Sequence, residues 1–362
     1  MTFRTTTVFA PGQFGHHTYR IPALVATPHG LVAFVEGRRD GAGDVGEIEL
    51  LARRSPDGGL TWTDPVPVAS RPGFTCGNPA PVLVDEDTIV MLSCTNGATA
   101  DERAIRDGLV AAELTRRVHL QRISLPDLEA TSPQDITATV KSSDWGWYAT
   151  GPGHAIRLRH GPYAGRLVVP ADHSVIGAPA SLSPYGSHLL LSDDNGETWR
   201  IGAVTSGIAD CAGPNECCAA ELADGEIVVT VRNEARDPDQ VPRALFRSGD
   251  GGGSGVLEAQ PELSMPVVQA SLISAALPGG EEVLVMCAPS APDRRARLGL
   301  RSSRDGGRTW TDPLLVDPGP SGYSDLAATA DGQLHLVWES GEKSPYERIR
   351  HAVCRITDVV AC

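Results

Sequence analysis

The chain reads RRSPDGGLTWTDP at residues 53–65 and RSSRDGGRTWTDP at residues 301–313. The shared phrase has the form Ser-x-Asp-x-Gly-x-Thr-Trp. It returns as SDDNGETW from Ser192 to Trp199, and in a decayed form, SGDGGG, from Ser248. The aspartates stand at 57, 194, 250 and 305, so the last two intervals are 56 and 55 residues. A near-constant interval of that size marks a repeated supersecondary unit. The first interval, 137 residues, holds about two and a half units, which places an unmarked or enlarged repeat within it. Six units of roughly 60 residues fill the 362-residue chain.

Between these marks the pattern is that of strands. GLVAFVEG, TIVMLSC, GRLVVPA, SHLLLSDD, EIVVTVRN, EEVLVMCA and LHLVWES are short and rich in β-branched or apolar residues. His29-Gly30, Asp224-Gly225 and Asp331-Gly332 read as turns between them. Only 100–117, ADERAIRDGLVAAELTRR, suggests a helix, and Gly108 weakens that pattern. An all-β chain of several 50–60-residue repeats predicts a six-bladed β-propeller of four-stranded antiparallel blades, with residues 1–362 as one domain. Within it the repeated phrase has a structural task. Asp and Gly form a tight turn whose carboxylate accepts backbone N–H bonds, and the Trp plugs into the blade.

The net charge of −14 argues against general binding to nucleic acid or anionic membrane. An anionic substrate would need a local cluster of arginines against that global sign. The cations are almost all arginine, with lysine only at Lys141 and Lys343, a bias read as genomic composition. No apolar run approaches the roughly 20 residues of a membrane span. No basic stretch followed by an apolar one opens the chain, so a cytoplasmic protein is expected, or a secreted one if a leader has been removed. A monomer is expected. The eight cysteines include no CxxC pair, which speaks against a zinc site. They read as buried thiols, with a disulfide from Cys211 to Cys217 or Cys218 as the alternative.

A second set of phrases carries the functional signal. YRIPAL (Tyr19 to Leu24), WYATGPGHAI (Trp147 to Ile156), GRLVVPADHS (Gly165 to Ser174), NECC (Asn215 to Cys218) and GYSDLA (Gly322 to Ala327) resemble, in order, stretches of the bacterial-type exo-α-sialidases. The repeated phrase resembles the Asp boxes of the same family. The similarity runs from about Thr18 to Ala352. It implies hydrolysis of terminal α-linked sialic acids on glycoproteins, glycolipids and oligosaccharides, without a metal or organic cofactor.

Sialic acid bears a carboxylate on its anomeric carbon, and forked, permanently charged arginines suit it. The resemblance assigns a three-arginine clasp to Arg20, Arg232 and Arg295. Arg294 and Arg297 are neighbours of the last, and strand alternation would keep Arg297 on the same face as Arg295. Unit charges about 4 Å apart repel by roughly 4 kcal/mol at an effective dielectric of 20, so resident carboxylates are expected among them. The resemblance assigns one such brace, for Arg20, to Glu339. It makes Tyr323 the nucleophile, Glu216 its base and Asp44 the acid/base, with Asp40 as the rival for the last role. A neutral phenol avoids the repulsion that an attacking carboxylate would meet, but needs a base beside it. Arg38 and Asn78 are implied as further substrate contacts, the latter near the N-acyl pocket, and Asp172 and Ser174 as neighbours of the glycerol side chain. His154, His16 and His17 read as structural. The rivals are a non-catalytic glycan-binding propeller and a sialyl transferase.

Overall fold

A computed structural model describes residues 3–178, 183–234, 237 and 239–361. The apolar runs and turn signals translate directly into its elements. Twenty-five strands fall within the described residues, and no α-helix there exceeds five residues. His29-Gly30, Asp224-Gly225 and Asp331-Gly332 turn the chain with glycine φ of 108°, 87° and 80°, where a side chain would be strained. The helix expected within 100–117 shrinks to Glu102–Arg106. Its N-cap Asp101 accepts the Ala104 N–H at 2.7 Å, and Gly108 then turns at φ 70°. This excursion lies in the long interval between the first two Asp boxes, and so it enlarges that repeat.

The strands pair into sheets of nine, five, four and seven. Pairing is antiparallel throughout except at one parallel bridge, Ile48 to Thr75, which joins two groups inside the nine-stranded sheet. In the seven-stranded sheet the long strand Leu314–Ala328 serves two partners. Residues up to Pro320 pair with Ala296–Ser303, and residues from Ser321 pair with Gln333–Ser340. The first strand, Thr5–Phe9, closes on the last, Arg348–Arg355. The ends of the described chain are thereby tied into one sheet.

Each Asp box forms the same turn. Asp57 Oδ1 accepts the Ser55 hydroxyl at 2.9 Å and the Leu60 and Thr61 N–H groups at 3.1 and 2.9 Å, and Oδ2 accepts the Thr61 hydroxyl at 2.6 Å. Asp194 and Asp305 repeat these contacts with Ser192 and Thr198, and with Ser303 and Thr309. The decayed copy is intact as a turn. Ser254 supplies the hydroxyl to Asp250 in place of threonine, and only the Trp is lost. These turns also join sheets: the Gly59 position abuts His351, and that of Gly307 abuts Leu245. Trp199 packs in one apolar cluster with Val90 and Leu92 of the preceding sheet.

Near the centre, Asp325 holds several inner segments together. Its Oδ1 accepts the Ser271 hydroxyl and pairs with His154 Nδ1, both at 2.8 Å, and its Oδ2 accepts the Leu24 and His154 N–H groups at 2.8 and 2.9 Å. His154 is thus a structural histidine, as is His16, which is buried against Glu49 at 2.6 Å. Cys218 lies within 4.8 Å of the His154 and Asp325 donor atoms, but those carboxylate oxygens are already filled by protein donors. The seven described cysteines are buried free thiols, so the Cys211 alternative gives way to the reduced reading; Cys362 lies outside the described residues. Among the described residues no helix is long and apolar enough to cross a membrane.

Candidate active site

Five strands lose register by one residue where they approach a common cavity. The irregularities fall between Arg20 and Ala23, Gly77 and Ala80, Trp145 and Tyr148, Pro214 and Cys217, and Ser321 and Ser324. In each, three residue steps oppose two on the partner strand. A bulge of this kind bends the strand and re-aims its side chains. The re-aimed residues are Arg20, Asn78, Trp147, Glu216 and Tyr323, and all five line one cavity of about 230 Å³. Ile21 and Asn78 take φ of 56°, inside two of the bulges. The prolines and glycines of RIP, GNP and SGY thus have a backbone role in these bulges.

The cavity concentrates five arginines, Arg20, Arg38, Arg116, Arg232 and Arg295, in a chain of net charge −14. Arg20 is buried, and its Nε donates to Glu339 Oε1 at 3.0 Å. Glu339 lies behind the cavity wall, wholly buried, and also accepts the Ile21 N–H at 3.1 Å and the Tyr323 N–H at 3.0 Å. One carboxylate therefore fixes both the first arginine and the backbone of Tyr323. Glu36 does the same for Arg38, accepting its Nη2 at 2.6 Å and the Asn78 N–H at 2.9 Å. Asp44 stands 2.8 Å from Arg38 Nη1 and 3.3 Å from Arg20 Nη1, on an exposed Gly-rich segment. Burial pushes its carboxyl up, but Arg38 and Arg20 outweigh that and hold it below its ordinary value.

Opposite, the Tyr323 hydroxyl donates to Glu216 Oε1 at 2.6 Å and accepts from Arg232 Nη1 at 2.9 Å. Arg232 Nη1 also reaches Glu216 Oε2 at 2.5 Å, and its Nη2 pairs with Glu234. Burial and then Glu216 push the Tyr323 phenol well above its usual range, while Arg232, Arg295 and Arg20 pull it back. The phenol is therefore neutral at rest, with an acceptor in contact. Arg295 guanidinium carbon lies 5.4 Å from the Tyr323 ring centroid.

Arg20, Arg38, Asp44, Asn78, Asp172, Glu216, Arg232, Arg295 and Tyr323 line the cavity, and Glu339 lies behind Arg20, where it suits a brace. Two expectations change. Arg297 does not share the face of Arg295. The register breaks between Ala296 and Leu298, Arg297 takes φ of 62°, and its side chain is exposed. Ser174 does not reach the cavity; it is buried, with its hydroxyl accepting the Trp147 N–H at 2.9 Å. Asp172 does line the cavity, fully buried, with Oδ1 accepting from Asn215 at 3.1 Å. Burial, then Glu216 and Glu102, push its carboxyl far up. Asp40 is exposed and does not line the cavity, so the contact with both arginines belongs to Asp44.

Sequence reasoning missed Glu36, Arg116, Glu234 and Tyr346. Glu36 had a visible signal, a buried-strand carboxylate at the end of the apolar run LVAFV. Arg116 had none. It is buried, donates from Nε to the Tyr148 carbonyl at 2.7 Å and from Nη1 to Asn96 at 2.6 Å, also bonds Asn78 Oδ1, and stacks 4.1 Å over Trp147.

Residues 29–336 match the BNR repeat-like domain. A sialidase of Micromonospora viridifaciens is 32% identical over 91% of this chain, which spans only 51% of that protein. An exo-alpha-sialidase of Arthroderma benhamiae is 30% identical over 94% of this chain and 85% of its own length. The solved structure of a Hadza microbial sialidase superposes with a TM-score of 0.83 at 25% identity, covering 98% of this chain and 69% of that one. The match across most of the chain places it in the sialidase family with BNR repeats.

Proposed function

We propose that the protein is an exo-α-sialidase that releases terminal α-linked sialic acids with retained configuration, through a sialyl-tyrosine intermediate. The observation that carries this reading is the Tyr323 hydroxyl held between Glu216 and Arg232, at 2.6 and 2.9 Å. The substrate carboxylate lies among Arg20, Arg232 and Arg295. Tyr323 Oη attacks the anomeric carbon and passes its proton to Glu216, while the bond to the aglycone breaks and Asp44 protonates the leaving oxygen. Water then loses a proton to Asp44 and attacks the same carbon, and the departing Tyr323 oxygen recovers its proton from Glu216. Asp44 must carry a proton to begin. A substrate carboxylate drawn to Arg20 weakens that arginine's hold on Asp44, which raises its pKa at the moment the acid is needed. Arg38 and Asn78, with Arg116 behind Asn78, form the wall opposite Tyr323 and contact the sugar substituents.

The scaffold for this chemistry is read as a six-bladed propeller in a single domain. Splitting the nine-stranded sheet at its parallel bridge, and the seven-stranded sheet within Leu314–Ala328, yields two groups from each. With the other two sheets these make six.

A fluorinated sialoside that traps the glycosyl-enzyme tests the mechanism. Peptide mass spectrometry should find the label on Tyr323, and Tyr323→Phe should lose turnover while still binding free sialic acid. A label on Asp44 or Glu216 would refute the double displacement as drawn. Product analysis with excess galactoside should give free sialic acid; a sialylated galactoside would move the reading to a transferase.

A further inference from the structure

The three arginines of the clasp are not held alike. Arg20 has Glu339 and Asp44, and Arg232 has Glu216 and Glu234. Among the described residues no carboxylate stands within ion-pair distance of Arg295. Its Nη1 donates instead to the Tyr346 hydroxyl at 2.9 Å, and its Nη2 to the Val267 carbonyl at 3.4 Å. The same tyrosine serves Arg20, whose guanidinium carbon lies 4.2 Å from the Tyr346 ring centroid. One neutral side chain therefore touches two of the three cations, through its oxygen and through its π face.

The loop that delivers Tyr346 is closed on itself. It joins Gln333–Ser340 to Arg348–Arg355. The Glu347 carboxylate accepts the N–H groups of Glu342, Lys343 and Ser344 at 2.9, 2.8 and 3.0 Å. A Cβ on Gly341 would meet the Ser344 carbonyl oxygen at 1.9 Å, so the turn admits only glycine there without moving. Nothing in the sequence GEKSPYER announces this role. It follows from the loop geometry and from the lack, among the described residues, of a carboxylate within ion-pair distance of Arg295.

Chemistry explains why a phenol stands here. A carboxylate in its place would hold Arg295 by an ion pair and compete with an incoming anion. A phenol accepts one hydrogen bond from Arg295 and still has its own proton to donate. We propose that Tyr346 is a fourth member of the carboxylate clasp, a neutral residue that positions Arg295 and Arg20 and turns its O–H toward the bound carboxylate. This rests on the sialoside reading above.

The test is Tyr346→Phe, which keeps the ring and removes the hydroxyl. KM for a sialoside should rise about tenfold with kcat within about twofold, the signature of binding lost equally in ground and transition states. Calorimetric affinity for free N-acetylneuraminate should fall by the same factor at unchanged melting temperature. On the sialoside methyl ester, which has no carboxylate charge, the variant and the unmodified protein should be equal. Tyr346→Leu, which also removes the face under Arg20, should raise KM further. Unchanged KM in Tyr346→Phe, or an equal loss on the methyl ester, would overturn the proposal while leaving the sialidase reading standing. If the unmodified protein neither binds N-acetylneuraminate nor cleaves sialosides, the sialidase reading fails and this one fails with it.

Discussion

The Asp-box turns and the cavity lie at opposite ends of the same strands and are built by opposite rules. Ile48 lines the cavity, and Ser55, seven residues along the strand Ile48–Ser55, opens the first box turn, about 23 Å away at 3.3 Å per residue. In the box, Asp57 is bonded to residues at most four positions away. In the cavity, Arg20 is bonded to Glu339 across 319 residues and Tyr323 to Glu216 across 107. The box carboxylates are exposed or half-buried and are bonded by local donors. The cavity groups are mostly buried, and their partners are other charges. Local satisfaction repeats wherever the phrase repeats, so it serves the scaffold. Satisfaction across the chain exists only when the whole fold is closed, so it can carry chemistry.

The largest test of that division sets Asp44 against Asp57. Asp44→Asn should lower kcat/KM on natural sialosides by about 10²–10⁴, the range for a lost general acid. The loss should shrink to within about tenfold on a nitrophenyl sialoside, whose leaving group needs no proton. Asp57→Asn should leave both values unchanged. An equal loss on the two substrates would remove Asp44 from the acid role.

A smaller effect separates two arginines with polar partners. Arg295→Met should weaken sialic acid binding by about 1.5–3 kcal/mol, the worth of a charge-assisted hydrogen bond. Arg247 sits near the last box, bonded to Glu258 at 2.9 Å, Glu226 at 3.0 Å and the Gly306 carbonyl at 2.7 Å. Arg247→Met should lower the melting temperature and leave the affinity of the folded protein alone. If Arg247→Met changes affinity as much as Arg295→Met, the two ends are coupled and the division is wrong.

This division also explains what could be read in advance. The boxes and the strand runs obey short-range rules, so the repeat length and the all-β class are visible in the chain itself. Even SGDGGG kept its turn, because Ser254 can supply the hydroxyl that threonine supplies elsewhere. Arg20, Asp44, Glu216, Arg232 and Tyr323 were legible only through whole phrases resembling a family. No spacing rule links residues that meet across hundreds of positions. Arg297 misled because alternation assumes an unbroken ladder, and the bulge after Ala296 breaks it. Arg116 and Tyr346 stayed hidden because neither belongs to a family phrase and each is recognised only by its contact with another cavity residue. Their partners, Asn78 and Arg295, had to be placed first.

The smallest effect concerns the boxes and depends on pH. The carboxyls of Asp57, Asp194, Asp250 and Asp305 are each held at about 2, against an ordinary value of 3.8. Hydrogen bonds from the Thr61 side chain and backbone lead at Asp57, and those of Thr198 at Asp194. The Ser254 backbone leads at Asp250, and at Asp305 the bonds from Thr309 overcome the opposing effect of partial burial. A depressed native pKa means that the unfolded chain binds protons first as pH falls. The stability these groups contribute is therefore present above about pH 4 and is lost as pH falls toward 2. Asp305→Ala should lower stability by about 1 kcal/mol at neutral pH, comparable to losing a helix-capping carboxylate. Thermal melts of the variant and the unmodified protein should converge between pH 4 and pH 2, while kcat/KM at neutral pH stays equal. Loss of most activity in folded Asp305→Ala at an unchanged melting temperature would break the comparison, because a local turn would then be acting on a site at the far end of the sheet.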